Sequence, residues 1–154
     1  MLDSLFVAGA VAAVGEALAS AHASEGSVAV IGNARLATAL AKQRTTLAVG
    51  LSARAAKKLA GAASPGKAQL VELRDVEARS LAAVIAVDVA TDDEWQTALR
   101  DWSRVVRDGG TIVFVDRGHA PAASRRALCA GLTELEQRRA GRSIVTSGLV
   151  SHLV

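Results

Sequence analysis

The chain has 154 residues, enough to bury a substantial core, and 51% of them are hydrophobic. Aromatic residues make up only 3% and Tyr is absent, so that core is built from Ala, Val, Leu and Ile. The net charge of +3 comes from 18 cations, mostly Arg, without interleaved aromatics, which argues against a nucleic-acid-binding surface. One cysteine, Cys129, excludes an internal disulfide and fits a reducing, cytoplasmic setting. Its place in RRALCAGL suggests a buried, inert thiol.

Residues 2 to 21 read as a helix that is apolar on nearly every side, and so is expected to be buried all round or to form a dimer contact. Its longest apolar run, Leu5 to Gly15, falls short of the roughly 20 residues that cross a bilayer. Asp3 stands where a signal peptide would carry basic residues. Ser27–Ile31 is a short β-branched run that ends at Gly32, as a strand covered on both faces would. A helix over Leu36–Lys42 follows, then a strand over Thr46–Val49 and a helix over Ala53–Ala60. Ser64-Pro65-Gly66 reads as a turn.

Ala68–Leu73 and Leu81–Val89 give a third and a fourth strand, the latter the most apolar. Asp92–Val106 is a helix with acids at its start and Arg104 and Arg107 at its end, and Gly109-Gly110 stops it. Trp95 and Trp102 lie two turns apart on one face, as core or interface anchors do. Thr111–Val115 is the fifth strand, and Pro121–Ala130 a helix capped by Gly131. Thr133–Arg139 and Ser143–Val150 then read as an antiparallel hairpin. Alternation of strand and helix implies a parallel sheet with helices on both faces.

Five alternating strands followed by a hairpin resemble the class I S-adenosylmethionine-dependent methyltransferases. The most specific stretches are EWQTALRDWSRVVRDGGTIVFVD, Glu94 to Asp116, and AGLTELEQRRAGRSIVTSGLV, Ala130 to Val150. The resemblance implies an α/β, three-layer Rossmann-like fold: a mostly parallel seven-stranded sheet of order 3-2-1-4-5-7-6 with a C-terminal antiparallel hairpin. It implies one methyltransferase-like domain over residues 1–154, with an N-terminal apolar helix at 1–24 and the Rossmann-like core at 27–150.

The resemblance also places a cofactor site at Gly32, Asn33, Ala34, Arg35, Gly50 and Asp75, and the pattern departs from the family there. Only the first motif glycine, Gly32, is present; Ala34 and Leu36 occupy the next two glycine slots, and Leu36 is expected to obstruct the cofactor. Arg35 sets a cation near a cationic sulfonium. Gly50, 18 residues after Gly32, takes the place of the ribose-binding acid, a loss of about 1.5–3 kcal/mol per charged hydrogen bond. Asp75 follows the third strand, where the family holds the adenine amino group.

These departures lead to the expectation of a non-catalytic module for protein interaction, scaffolding or regulation, with cofactor binding absent or weak and a protein partner or second copy as ligand. The alternative is an active S-adenosylmethionine-dependent methyltransferase on a small molecule or protein, with Asp88 or His119 as the base. A second alternative is a weak nucleotide-binding Rossmann domain, because Gly32-x-Ala34-x-x-Ala37 fits a degraded dinucleotide fingerprint. No Cys or His spacing suggests a metal, and no membrane association is expected.

Overall fold

The computed structural model describes residues 2–20, 25–51, 53–60, 68–88, 95–117 and 120–152. The expected turn at Ser64–Gly66, the acids at 92–94 and His119 lie outside them. The elements run α1 (Leu2–Ser20), β1 (Val28–Ile31), α2 (Ala34–Ala41), β2 (Thr46–Val49), α3 (Ala53–Ala60) and β3 (Gln69–Leu70). A single 3-10 turn at Leu73–Asp75 precedes β4 (Leu81–Val87), α4 (Trp95–Val105), β5 (Val106–Asp116), α5 (Ala120–Cys129), β6 (Thr133–Ala140) and β7 (Ser143–Leu149).

The seven strands form one sheet in the order β3-β2-β1-β4-β5-β7-β6. β1 pairs in parallel with β2 and β4, and β4 with β5, while β7 runs antiparallel to both β5 and β6. The predicted architecture is therefore present strand for strand. Every residue of β4 is buried, as the centre of a parallel sheet covered on both faces requires. One core layer joins Val28, Val30, Ile85 and Val113 to α1 and α2. The other joins Ala29, Val84, Ala86 and Phe114 to Leu99, Trp102 and Val105 of α4.

α1 is not buried all round. Ala10, Ala13, Val14, Ala17 and Leu18 face the core at helical spacing, whereas Ala12, Glu16 and Ala19 are exposed. Alanine is small enough to sit on either face at little cost, so composition alone could not mark the side. Trp102 serves the chain's own core, 6.4 Å from Phe114 between ring centroids, rather than an interface; the Trp95 side chain lies outside what is described. Among the described residues, no helix is long and apolar enough to cross a membrane.

The Gly109-Gly110 pair does not stop a helix. α4 ends at Val105 and the chain enters the sheet at once, pairing Val106 with Leu81 and then, after an irregularity, Thr111 with Ala83. Gly110 sits at this irregularity with no room for a side chain. A Cβ there would lie 2.6 Å from the Ala82 carbonyl oxygen and 2.6 Å from Val106 Cγ1. Gly110→Ala is therefore expected to destabilise the fold by about 1–3 kcal/mol through overpacking. Gly15→Ala, whose Cβ meets nothing within 4 Å, should leave the thermal midpoint unchanged or slightly raised. Equal midpoints for the two variants in thermal denaturation would contradict this account.

α5 closes as its sequence suggests. Leu132 N–H donates to the Ala127 carbonyl at 3.1 Å and Gly131 N–H to Leu128 at 3.0 Å, the paired bonds of a glycine-capped helix end. The edge strand β6 carries Glu134, Glu136, Arg138 and Arg139, charges that discourage pairing with another sheet.

Candidate functional site

In an open parallel sheet the ligand crevice lies beyond the carboxyl ends of the strands, where the strand order reverses. Here that point falls between β1 and β4, with β2 alongside. Three residues leave the sheet there, and all three have left-handed backbones: Gly50 after β2 (φ 67°), Gly32 after β1 (φ 81°) and Asp88 after β4 (φ 55°). They are neighbours. Gly32 N–H donates to the Val49 carbonyl at 2.9 Å, and a Cβ on Gly50 would stand 4.0 Å from the Gly32 nitrogen. A Cβ on Gly32 would stand 3.8 Å from the Val87 carbonyl oxygen. Gly32 and Gly50 are both exposed, so the floor of this crevice is bare backbone.

Asn33 caps α2, its Oδ1 accepting from Leu36 N–H at 2.9 Å. This cap fixes the turn from β1 into the helix and decides where the next side chains go. Ala34 is half-buried in the first turn and Arg35 is exposed. Leu36 is fully buried in the core layer with Leu40, Val28 and Val30. It does not obstruct the crevice. The glycine-to-leucine change is accommodated by turning the side chain inward beneath the helix.

Asp88 is exposed, and its N–H donates to the Val115 carbonyl at 2.8 Å, which ties its backbone to β5. Its Oδ2 lies 3.5 Å from Arg117 Nε at the end of β5, with both side chains about half exposed. A left-handed aspartate is uncommon and is tolerated where the surrounding structure holds it. Arg117 was not singled out in the sequence. Only the pairing of β4 with β5 brings it beside Asp88.

Asp75 does not join this group. It belongs to the 3-10 turn rather than to a strand end, since β3 stops at Leu70. Arg104 near the C-terminus of α4 donates to the Leu73 and Val76 carbonyls, each at 3.0 Å, and holds that turn against α4. The Arg104 carbonyl in turn accepts from Arg79 N–H at 2.9 Å, just before β4 begins. The segment carrying Asp75 is thus drawn toward the amino end of β4, away from Gly32 and Gly50.

Cys129 is exposed rather than buried, because the register that buries Ala123 and Ala127 in α5 turns positions 128 and 129 outward. It borders a cleft of about 630 Å³ with Arg100, Ser103 and His152. His152 Nε2 lies 2.7 Å from the Val106 carbonyl at the start of β5, so this cleft is away from the strand carboxyl ends. The arginine clusters Arg125-Arg126 and Arg138-Arg139 with Arg142 are partly committed inside the fold: Arg126 is 8% exposed, and Arg138 pairs with Glu136 at 2.6 Å and Glu16 at 3.7 Å.

No family model and no curated protein sequence matches the chain. Solved structures do match. An S-adenosylmethionine-dependent methyltransferase from Thermotoga maritima aligns at a TM-score of 0.66 and 14% identity over 82% of this chain and 83% of that one. An S-adenosyl-L-methionine-dependent methyltransferase from Methanococcus maripaludis aligns at 0.66 and 16% identity, over 84% and 79%. The complex between the Haloferax volcanii Trm112 methyltransferase activator and a methyltransferase contains a chain that aligns at 0.66 and 13% identity, over 84% and 83%.

The chain has the class I S-adenosylmethionine-dependent methyltransferase fold. These findings correct the expectation of a non-catalytic interaction module, because the structures that share this frame are methyltransferases and favour the enzymatic alternative. The expected obstruction by Leu36 also falls, since Leu36 lies in the core and not in the crevice.

Proposed function

We propose that this chain is an S-adenosylmethionine-dependent methyltransferase acting on a small molecule or a protein. The observation that carries the reading is the alignment of Gly50, Gly32 and Asp88 on three neighbouring strand ends, with no side chain on the first two. The fold of the matching structures supports it.

The residues present fit the cofactor. Gly32 and Gly50 leave room for close backbone approach, and Asn33 and Ala34 shape the turn above them. Arg35 is exposed, so its charge is screened by solvent. When bound, S-adenosylmethionine supplies a methyl group on a positively charged sulfur. The chain's own part is to hold the acceptor in line with that methyl and to take its proton. Asp88, an exposed carboxylate on the β4 side of the crevice, is placed for the second task. Arg117 at 3.5 Å limits the directions its carboxylate can face. His119 is the second candidate base named by the sequence.

The partial burial and pairing of the Arg clusters favours an acceptor other than nucleic acid. A protein partner suits this reading too, since the Haloferax volcanii methyltransferase is bound to an activator. The single cysteine suits a reducing compartment, and we place the chain in the cytoplasm. Titration calorimetry with S-adenosylhomocysteine tests the reading. A dissociation constant in the micromolar range is expected, and no heat of binding up to millimolar ligand would sink it.

A further inference from the structure

The cleft that Cys129 borders is a second concavity, set at the start of β5 rather than at the strand carboxyl ends. It lies between α4 and the end of α5, and His152 lines it from beyond β7. Its volume of about 630 Å³ falls in the range of roughly 300–1,000 Å³ typical of small-molecule sites. Leu99 and Ala130 give it an apolar part, while Arg100, Ser103, Arg104 and His152 give it polar groups. Among the described residues that line it, none is acidic.

Two of these groups are held in place. The two terminal nitrogens of Arg104 donate to the Val76 and Leu73 carbonyls, which fixes the plane of its guanidinium. His152 N–H donates to Asp108 Oδ1 at 2.8 Å, and its Nε2 donates to the Val106 carbonyl at 2.7 Å, because a carbonyl only accepts. Just before it, Val150 N–H donates to the Gly110 carbonyl at 2.8 Å and the Val150 carbonyl accepts from Gly109 at 2.9 Å, so this wall of the cleft is fixed. Arg100 stands one turn before Arg104 on α4 and is exposed, and among the described residues no carboxylate pairs with it. Like charges at that spacing repel, and an anion beside them relieves the repulsion. The negative pole at the end of α5 works against an anion. There the Arg126, Ala127 and Leu128 carbonyls already accept from Ala130, Leu132 and Gly131, which weakens that opposition.

We propose that this cleft binds a small organic anion, a phosphate or carboxylate on an apolar body, at a site separate from the crevice at the strand carboxyl ends. Arg100 supplies the planar fork that phosphate and carboxylate oxygens accept from, Ser103 adds a hydroxyl donor, and Leu99 and Ala130 take the apolar body.

Cys129 is the only cysteine and is exposed at the cleft, so its alkylation by the neutral reagent N-ethylmaleimide reports occupancy. Phenyl phosphate or benzoate is expected to slow alkylation of the wild-type protein saturably, and the one that acts at lower concentration identifies the head group. Benzyl alcohol, which has the ring without the charge, should not protect. Inorganic phosphate should need about tenfold more or higher concentration, because it leaves the apolar part unfilled. Arg100→Gln should raise the concentration for half-protection about tenfold or more, as loss of a charged hydrogen bond implies, with the thermal midpoint unchanged. Arg142→Gln, which removes an exposed arginine between β6 and β7, should match wild type. Equal protection by benzyl alcohol, protection by no anion, or an Arg100→Gln protein that keeps wild-type protection overturns the proposal, whatever the titration with S-adenosylhomocysteine shows.

Discussion

Leu36→Ala is expected to cost about 2–5 kcal/mol of stability and to leave cofactor affinity no better than wild type. Leu36 is fully buried among Val28, Val30 and Leu40, so truncation opens a cavity between α2 and the sheet. For a chain of this size each kcal/mol moves the thermal midpoint by roughly 2–4 °C, so a drop on the order of 10 °C is expected. A side chain that blocked the crevice would behave in the opposite way: its removal would raise affinity for S-adenosylhomocysteine at small cost to the fold. Thermal denaturation and a binding titration on the same variant separate the two, and tighter binding with an unchanged midpoint would return Leu36 to the crevice.

The second large effect is on turnover. Asp88→Asn is expected to lower kcat about 10²–10⁴-fold, the range for loss of a general base, with affinity for S-adenosylhomocysteine changed only a few-fold. Asparagine is the appropriate replacement because it tolerates the left-handed backbone at φ 55° and keeps the shape of the side chain. Alanine would add backbone strain to the loss of the carboxylate and confuse the two. The measurement is methyl transfer to the acceptor once one is found, under saturating cofactor. Unchanged kcat would remove Asp88 from the chemistry and move attention to His119.

The two expected effects lie on different links of the same chain of causes. Leu36 acts through packing and Asp88 through position at a strand end, but both depend on the short turns that leave β1 and β4. Asn33 caps the first of these turns, and the Asp88 N–H bond to Val115 secures the second. In that sense the crevice is built by the same hydrogen bonds that hold the sheet and helices together.

Much of the frame was legible in the residues. Short apolar runs rich in β-branched residues, such as SVAVI and LAAVIAV, read as central strands, and the alternation of strand and helix implies a parallel sheet. TELEQRR and SIVTSGLV, joined by the short Ala140-Gly141-Arg142 connection, read as the antiparallel hairpin that β6 and β7 form. Where the reading failed, periodicity carried too little information. The alanine-rich α1 gave no side to bury, α4 was extended past its true end because Gly109-Gly110 resembled a stop signal, and Cys129 was assigned to the wrong face of α5.

The sequence by itself determined that the chain folds as an alternating α/β sheet with a terminal hairpin, because hydrophobic period and turn chemistry are local properties. It also determined that Gly50 carries no carboxylate and that no acid stands within several residues of it along the chain. Only the tertiary structure decided what these facts mean for the crevice. The pairing of β4 with β5 sets Arg117 beside Asp88 although 29 positions separate them, and the packing of α2 on the sheet takes Leu36 into the core. Both outcomes depend on which elements pack together in space, which spacing along one chain does not encode.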